Sequence, residues 1–102
     1  MMPMWILRTV IEGEPEKTFR MMPGVIRTVG RATGADFIVD APLVSRVHCR
    51  FTAMADGGLE VRDLESTNGT YVNGQRTEVA RLASGDKVQI GRVEVVALQD
   101  ND

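Results

Sequence analysis

Apolar residues in this chain alternate or cluster in short runs, and no long segment repeats them at helical spacing. The runs are bounded by Gly, Pro, Asn and Asp, which is the signature of strands between turns. They predict strands at Met4 to Ile11, Val25 to Val29, Phe37 to Val39, Val47 to Met54, Leu59 to Leu64, Thr70 to Val72, Lys87 to Ile90 and Val93 to Leu98. Three turns punctuate them: Asp56-Gly57-Gly58, Ser84-Gly85-Asp86 and Asn73-Gly74. The last, between Tyr71-Val72 and Gln75-Arg76, predicts a two-residue type I′ hairpin. Many short strands with frequent turns predict an all-β domain, an antiparallel sandwich or barrel.

Composition narrows what such a domain can do. With 102 residues, positions 1–102 are expected to form one domain. The formal net charge of -2 removes the broad cationic surplus that a general nucleic-acid binder needs, so any phosphate must be met by a few local donors. Cys49 is the only cysteine, which excludes an internal disulfide and a multi-thiolate zinc cage. It shares the alternating phase of Val47 and Phe51, so a buried core thiol is expected. Met1 to Ile11 is apolar but interrupted by Pro3 and Arg8, too short for a bilayer and without signal-peptide features. A cytoplasmic protein without a membrane partner is expected, or a nuclear one in a eukaryote.

The candidate chemistry lies in three loops, Gly30 to Gly34, Asp40 to Ser45 and Glu65 to Gly69, which a rigid sandwich would display together. A phosphate monoester carries about -1.5 to -2 charges and three strong acceptor oxygens. A guanidinium with hydroxyls and backbone N–H groups suits it, because the planar fork of Arg gives two parallel charge-assisted hydrogen bonds. Arg31 is one candidate; alternatively it forms a surface ion pair with Asp36 or Asp40. Ser45 and Arg46 could add a hydroxyl and a second charge, or Ser45 could bond its own turn. His48 without a second soft ligand does not make a zinc site. A Ser45–His48 nucleophile and base pair is opposed by their spacing, since strand residues three apart face opposite ways. His48 is therefore read as structural.

In Ser66-Thr67-Asn68-Gly69-Thr70, Asn68 offers both a donor and an acceptor with which to grip an extended backbone, and Thr67 adds a hydroxyl. An ordinary Asn-Gly turn would have the same sequence. Asn68-Gly69-Thr70 matches a glycosylation acceptor, discounted without a secretory signal. Gly30-Arg31-Ala32-Thr33-Gly34 lacks the Gly-Lys-Ser/Thr ending of a P-loop and has no following helix to present to a phosphate.

Order and spacing add what the single residues lack. Gly30-Arg31, then Ser45-Arg46-Val47-His48, then Asp63 to Gly74, then Leu82, Gly85-Asp86 and Ile90-Gly91 closely resemble the forkhead-associated (FHA) domain, from about Val25 to Gly91. The resemblance implies a sandwich of two twisted, mainly antiparallel sheets with about eleven strands and close termini. It implies a non-enzymatic adaptor that binds threonine-phosphorylated protein or peptide through loops at one end, with no cofactor or metal, as a monomer. By motif position, Arg31 and Ser45 resemble the phosphate-binding pair, and Arg46 and Thr67 the residues that add contacts. Asn68 resembles the residue that holds the peptide backbone. Gly30, His48 and Gly69 resemble support of the loops, and Asn73 is divided between a peptide contact and its hairpin. The alternative is a phosphate-independent scaffold or oligomerisation module using a sheet face.

Overall fold

The computed structural model describes residues 4–100. Met1 to Pro3, part of the N-terminal apolar stretch, lie outside the described residues, as do Asn101 and Asp102. Eleven strands form two sheets, and no helix occurs among the described residues, so none is long and apolar enough to cross a membrane. In chain order they are β1 (Met4–Val10), β2 (Lys17–Met21), β3 (Ile26–Gly30), β4 (Phe37–Ile38), β5 (Cys49–Ala53), β6 (Leu59–Asp63), β7 (Thr70–Val72), β8 (Gln75–Thr77), β9 (Val79–Leu82), β10 (Lys87–Ile90) and β11 (Val93–Asp100). One sheet has the order β2-β1-β11-β10-β7-β8 and the other β4-β3-β5-β6-β9. Every pairing is antiparallel except β3 with β4. The first and last strands pair from Met4↔Asp100 to Val10↔Glu94, which brings the two ends of the described chain together.

Alternation in the strands builds the core directly. Trp5 and Leu7 on β1, Val88 and Ile90 on β10, and Val93, Val95 and Ala97 on β11 face inward from the six-stranded sheet. Val29, Cys49, Phe51, Ala53, Leu59 and Val61 meet them from the other sheet. Phe19 and Phe37 stack across the gap, ring centroids 4.3 Å apart. Burial is the main influence pushing the Cys49 thiol far above its ordinary pKa, reinforced by the Asp63 charge, so it is an inert core side chain.

Eight strands fall on the apolar runs read from the sequence; β2, β8 and β9 do not. All three are short and largely solvent-facing, and β2, β8 and β9 each lie at a sheet edge. A one-sided edge strand needs few apolar residues, so Gln75-Arg76-Thr77 carries no hydrophobic signal. Asn73 and Gly74 take φ of 49° and 87°, the left-handed pair of a type I′ turn, and join β7 to β8.

Candidate functional site

Backbone pairing continues beyond the strand ends and ties the three loops together. After β3, the Arg31 and Ala32 N–H groups donate to the Ser45 and Arg46 carbonyls, each at 3.0 Å. This close approach requires glycine at position 30: a β-carbon there would stand 2.2 Å from the Arg46 carbonyl oxygen. His48 lies just before β5 with no exposed surface. Its Nδ1 accepts the Ser45 N–H at 3.0 Å, so the ring proton sits on Nε2 and is donated to the Gly69 carbonyl at 2.8 Å. One imidazole thus clamps the Asp40–Ser45 loop to the Glu65–Gly69 loop. The bond to Ser45 comes from the backbone, not from Oγ, which is not the geometry of a nucleophile and its base.

Asp63 at the end of β6 shapes the third loop. Its Oδ1 accepts the Ser66 and Thr70 hydroxyls and its Oδ2 the Ser66 N–H, while the Ser66 hydroxyl oxygen accepts the Gly69 N–H. Burial opposes the Asp63 charge, but the hydrogen bonds from Ser66 and Thr70 outweigh it and hold the carboxyl below its usual range. A depressed folded-state pKa contributes stability above the unfolded value, about 3.9, that is lost as pH falls through the folded one. Asp63→Asn is therefore expected to lose stability at pH 7 and to fall less steeply than the parent below about pH 4. Urea midpoints at pH 7 and pH 3 check this; parallel losses in the two proteins would refute it.

The three loops surround a cleft of about 640 Å³ lined by Arg31, Ser45, Arg46, Thr67 and Asn68 together with Asp40 to Val44. Arg31 forms no ion pair with Asp36 or Asp40; Asp36 instead takes the Thr28 N–H and hydroxyl, bonds that hold its own carboxyl below the usual range. Arg31 Nε donates to the Val44 carbonyl at 3.0 Å, which fixes the guanidinium and leaves both terminal nitrogens unspent. Ser45 Oγ accepts the Thr67 N–H at 3.0 Å, so its own proton remains available to an anion. Asn68 Nδ2 donates to the Leu43 carbonyl at 3.0 Å, leaving the amide oxygen and one hydrogen free. Five of the sequence candidates thus share one cleft. Asn73 lies elsewhere: its amide bonds Asp86 and the Lys87 N–H, and it lines two other hollows.

Leu43 had no sequence signal. It holds a left-handed φ of 71°, an arrangement that costs a non-glycine residue about 1–2 kcal/mol, and its side chain is half exposed. Its carbonyl receives Asn68, so the strained turn helps to set the cleft wall. Hydropathy alone reads Pro42-Leu43-Val44 as an apolar tripeptide and does not distinguish the exposed Leu43 from the buried Val44.

A sandwich of this topology with hydrogen-bond donors gathered in a cleft at its loop end has the architecture of a binding module. The chain belongs to the FHA family, whose model matches residues 27–91, and FHA domains are phosphothreonine-dependent interaction modules. It is 42% identical over 79 residues to the ABC transporter ATP-binding/permease protein Rv1747 of Mycobacterium tuberculosis, covering 78% of this chain and 9% of that one. It is 43% identical over 72 residues to the oxoglutarate dehydrogenase inhibitor of Corynebacterium diphtheriae, covering 71% and 50%. The chain therefore spans half or less of the length of these relatives. A structure solved in the study of phosphothreonine-dependent FHA domain interactions superposes with a TM-score of 0.79 at 27% identity, over 91% of this chain and 95% of that one.

Proposed function

We propose that residues 1–102 form one FHA domain that captures phosphothreonine-bearing segments of partner proteins, Arg31 and Ser45 binding the phosphate. Arg46 and Thr67 add donors at the cleft wall, and Asn68 holds the peptide backbone beside the phosphothreonine. Gly30, His48 and Gly69 hold the loops in place, and Asn73 serves its hairpin. The domain acts as a monomeric adaptor in the cytoplasm, reading the product of a separate kinase.

One observation carries this reading. The Arg31 guanidinium and the Ser45 hydroxyl are each fixed by one side-chain hydrogen bond to a neighbouring loop, and each keeps its remaining side-chain donors turned to no protein partner among the described residues. Donors held in place before the ligand arrives lose little freedom on binding. Titration with phosphothreonine, phosphoserine and unphosphorylated versions of a degenerate peptide library is expected to give binding to the phosphothreonine set alone. Equal binding of the unphosphorylated set, or of none, would overturn the reading.

A further inference from the structure

The cleft that holds Arg31 and Ser45 does not end at Asn68. Leu43 and Asn68 also wall a second hollow of about 390 Å³, which continues past Tyr71 and Gln89. Tyr71 is paired in register with Gln89 on β10 and with Arg76 on β8. Directly paired residues share a face, and the buried Thr70 on the alternate phase of β7 marks the other face as inward. Gln89, Tyr71 and Arg76 therefore form a row on the outer face: the first two line that hollow, and Arg76 stands beyond Tyr71 on β8.

Arg76 is also placed from a second direction. Its guanidinium lies directly on Gly69: a β-carbon added there would stand 2.8 Å from Arg76 Nε and 3.0 Å from Cζ. The head group is thus held one residue from Asn68, although Arg76 itself is solvent-exposed. Among the described residues the guanidinium has no hydrogen-bond or ion-pair partner. Arg81, by contrast, is paired with Asp56 at 3.0 Å.

We propose that Arg76 is a specificity-determining residue that selects a carboxylate side chain, Asp or Glu, near the phosphothreonine of the bound segment. This rests on the phosphopeptide reading above. An extended segment advances about 3.3 Å per residue with alternate side chains on one side. A backbone held at Asn68 therefore carries a side chain past the Arg76 fork within one or two residues. That fork matches a carboxylate through two parallel hydrogen bonds, and the domain leaves it unfilled. The net charge of -2 gives no general attraction for acidic peptides, so the preference is confined to the position that Arg76 reaches.

The test uses a phosphothreonine peptide with alanine flanks, into which Asp or Lys is placed at each neighbouring position in turn. Asp at one or two positions is expected to tighten binding to the parent about fivefold, the upper range for an exposed ion pair. Arg76→Gln should bind the alanine-flanked peptide within about twofold of the parent yet show no gain from Asp. Arg76→Glu should turn the preference at that position to Lys. Retention of the Asp preference in both variants, or no Asp gain anywhere in the parent, overturns the proposal while leaving the phosphopeptide reading intact. Failure of the parent to bind the alanine-flanked phosphopeptide sinks both.

Discussion

Arg31→Ala is expected to weaken phosphothreonine-peptide binding at least about 100-fold while the domain stays folded. The size follows from what the guanidinium supplies. Its two terminal nitrogens are free to form charge-assisted bonds to the phosphate, each contributing roughly 1.5–3 kcal/mol, and about 1.4 kcal/mol is a factor of ten. Ser45 and Thr67 replace none of this, because a hydroxyl carries no charge. The cost to folding is small by comparison. Only the Nε bond to Val44 is lost, on the order of 1 kcal/mol, or a few degrees in Tm. Arg31→Lys keeps the charge but loses both the fork and the Val44 tether, so an intermediate loss is expected. Calorimetric titration of the three proteins with one phosphopeptide decides the matter. An unchanged Kd in Arg31→Ala would remove Arg31 from the site.

Sequence reasoning reached this residue more readily than it reached the geometry that arms it. Period-2 alternation made β5 and β10 legible, because one face of each is buried, while short apolar runs marked β1 and β11. The exposed edges β2, β8 and β9 left no such trace. At the site, the spacing of Gly30-Arg31, Ser45 to His48 and Ser66 to Thr70 marked which loops matter. It did not show that Asp63 receives three hydrogen bonds, since a carboxylate ending a strand looks like any surface acid. Nor did it show Arg76 on Gly69, a contact between a hairpin strand and a turn seven residues back. Contacts of this kind depend on where the chain folds back, which local composition does not encode.

The largest expected loss of stability belongs to His48. Removing its ring leaves three costs that no neighbour can absorb. A fully buried side chain is replaced by a void, and two backbone groups, the Ser45 N–H and the Gly69 carbonyl, lose their partner. Cavity formation and an orphaned polar group each cost about 1–3 kcal/mol, so His48→Ala is expected to lose about 3–5 kcal/mol. Against a typical domain stability of about 5–15 kcal/mol this is a large fraction. For a chain of this size it corresponds to a fall in Tm of roughly 15 °C or more. His48→Phe separates the terms: it refills the volume but restores neither bond, so it should recover only part of the stability. Binding should report the clamp as well. At a temperature where His48→Phe is still folded, its phosphopeptide affinity should drop about tenfold, because Ser45 and the Gly69 turn are no longer held together. Thermal denaturation followed by circular dichroism, with titration of the folded variant, measures both effects. A Tm within two or three degrees of the parent in His48→Ala would mean that the loops keep their places without the imidazole.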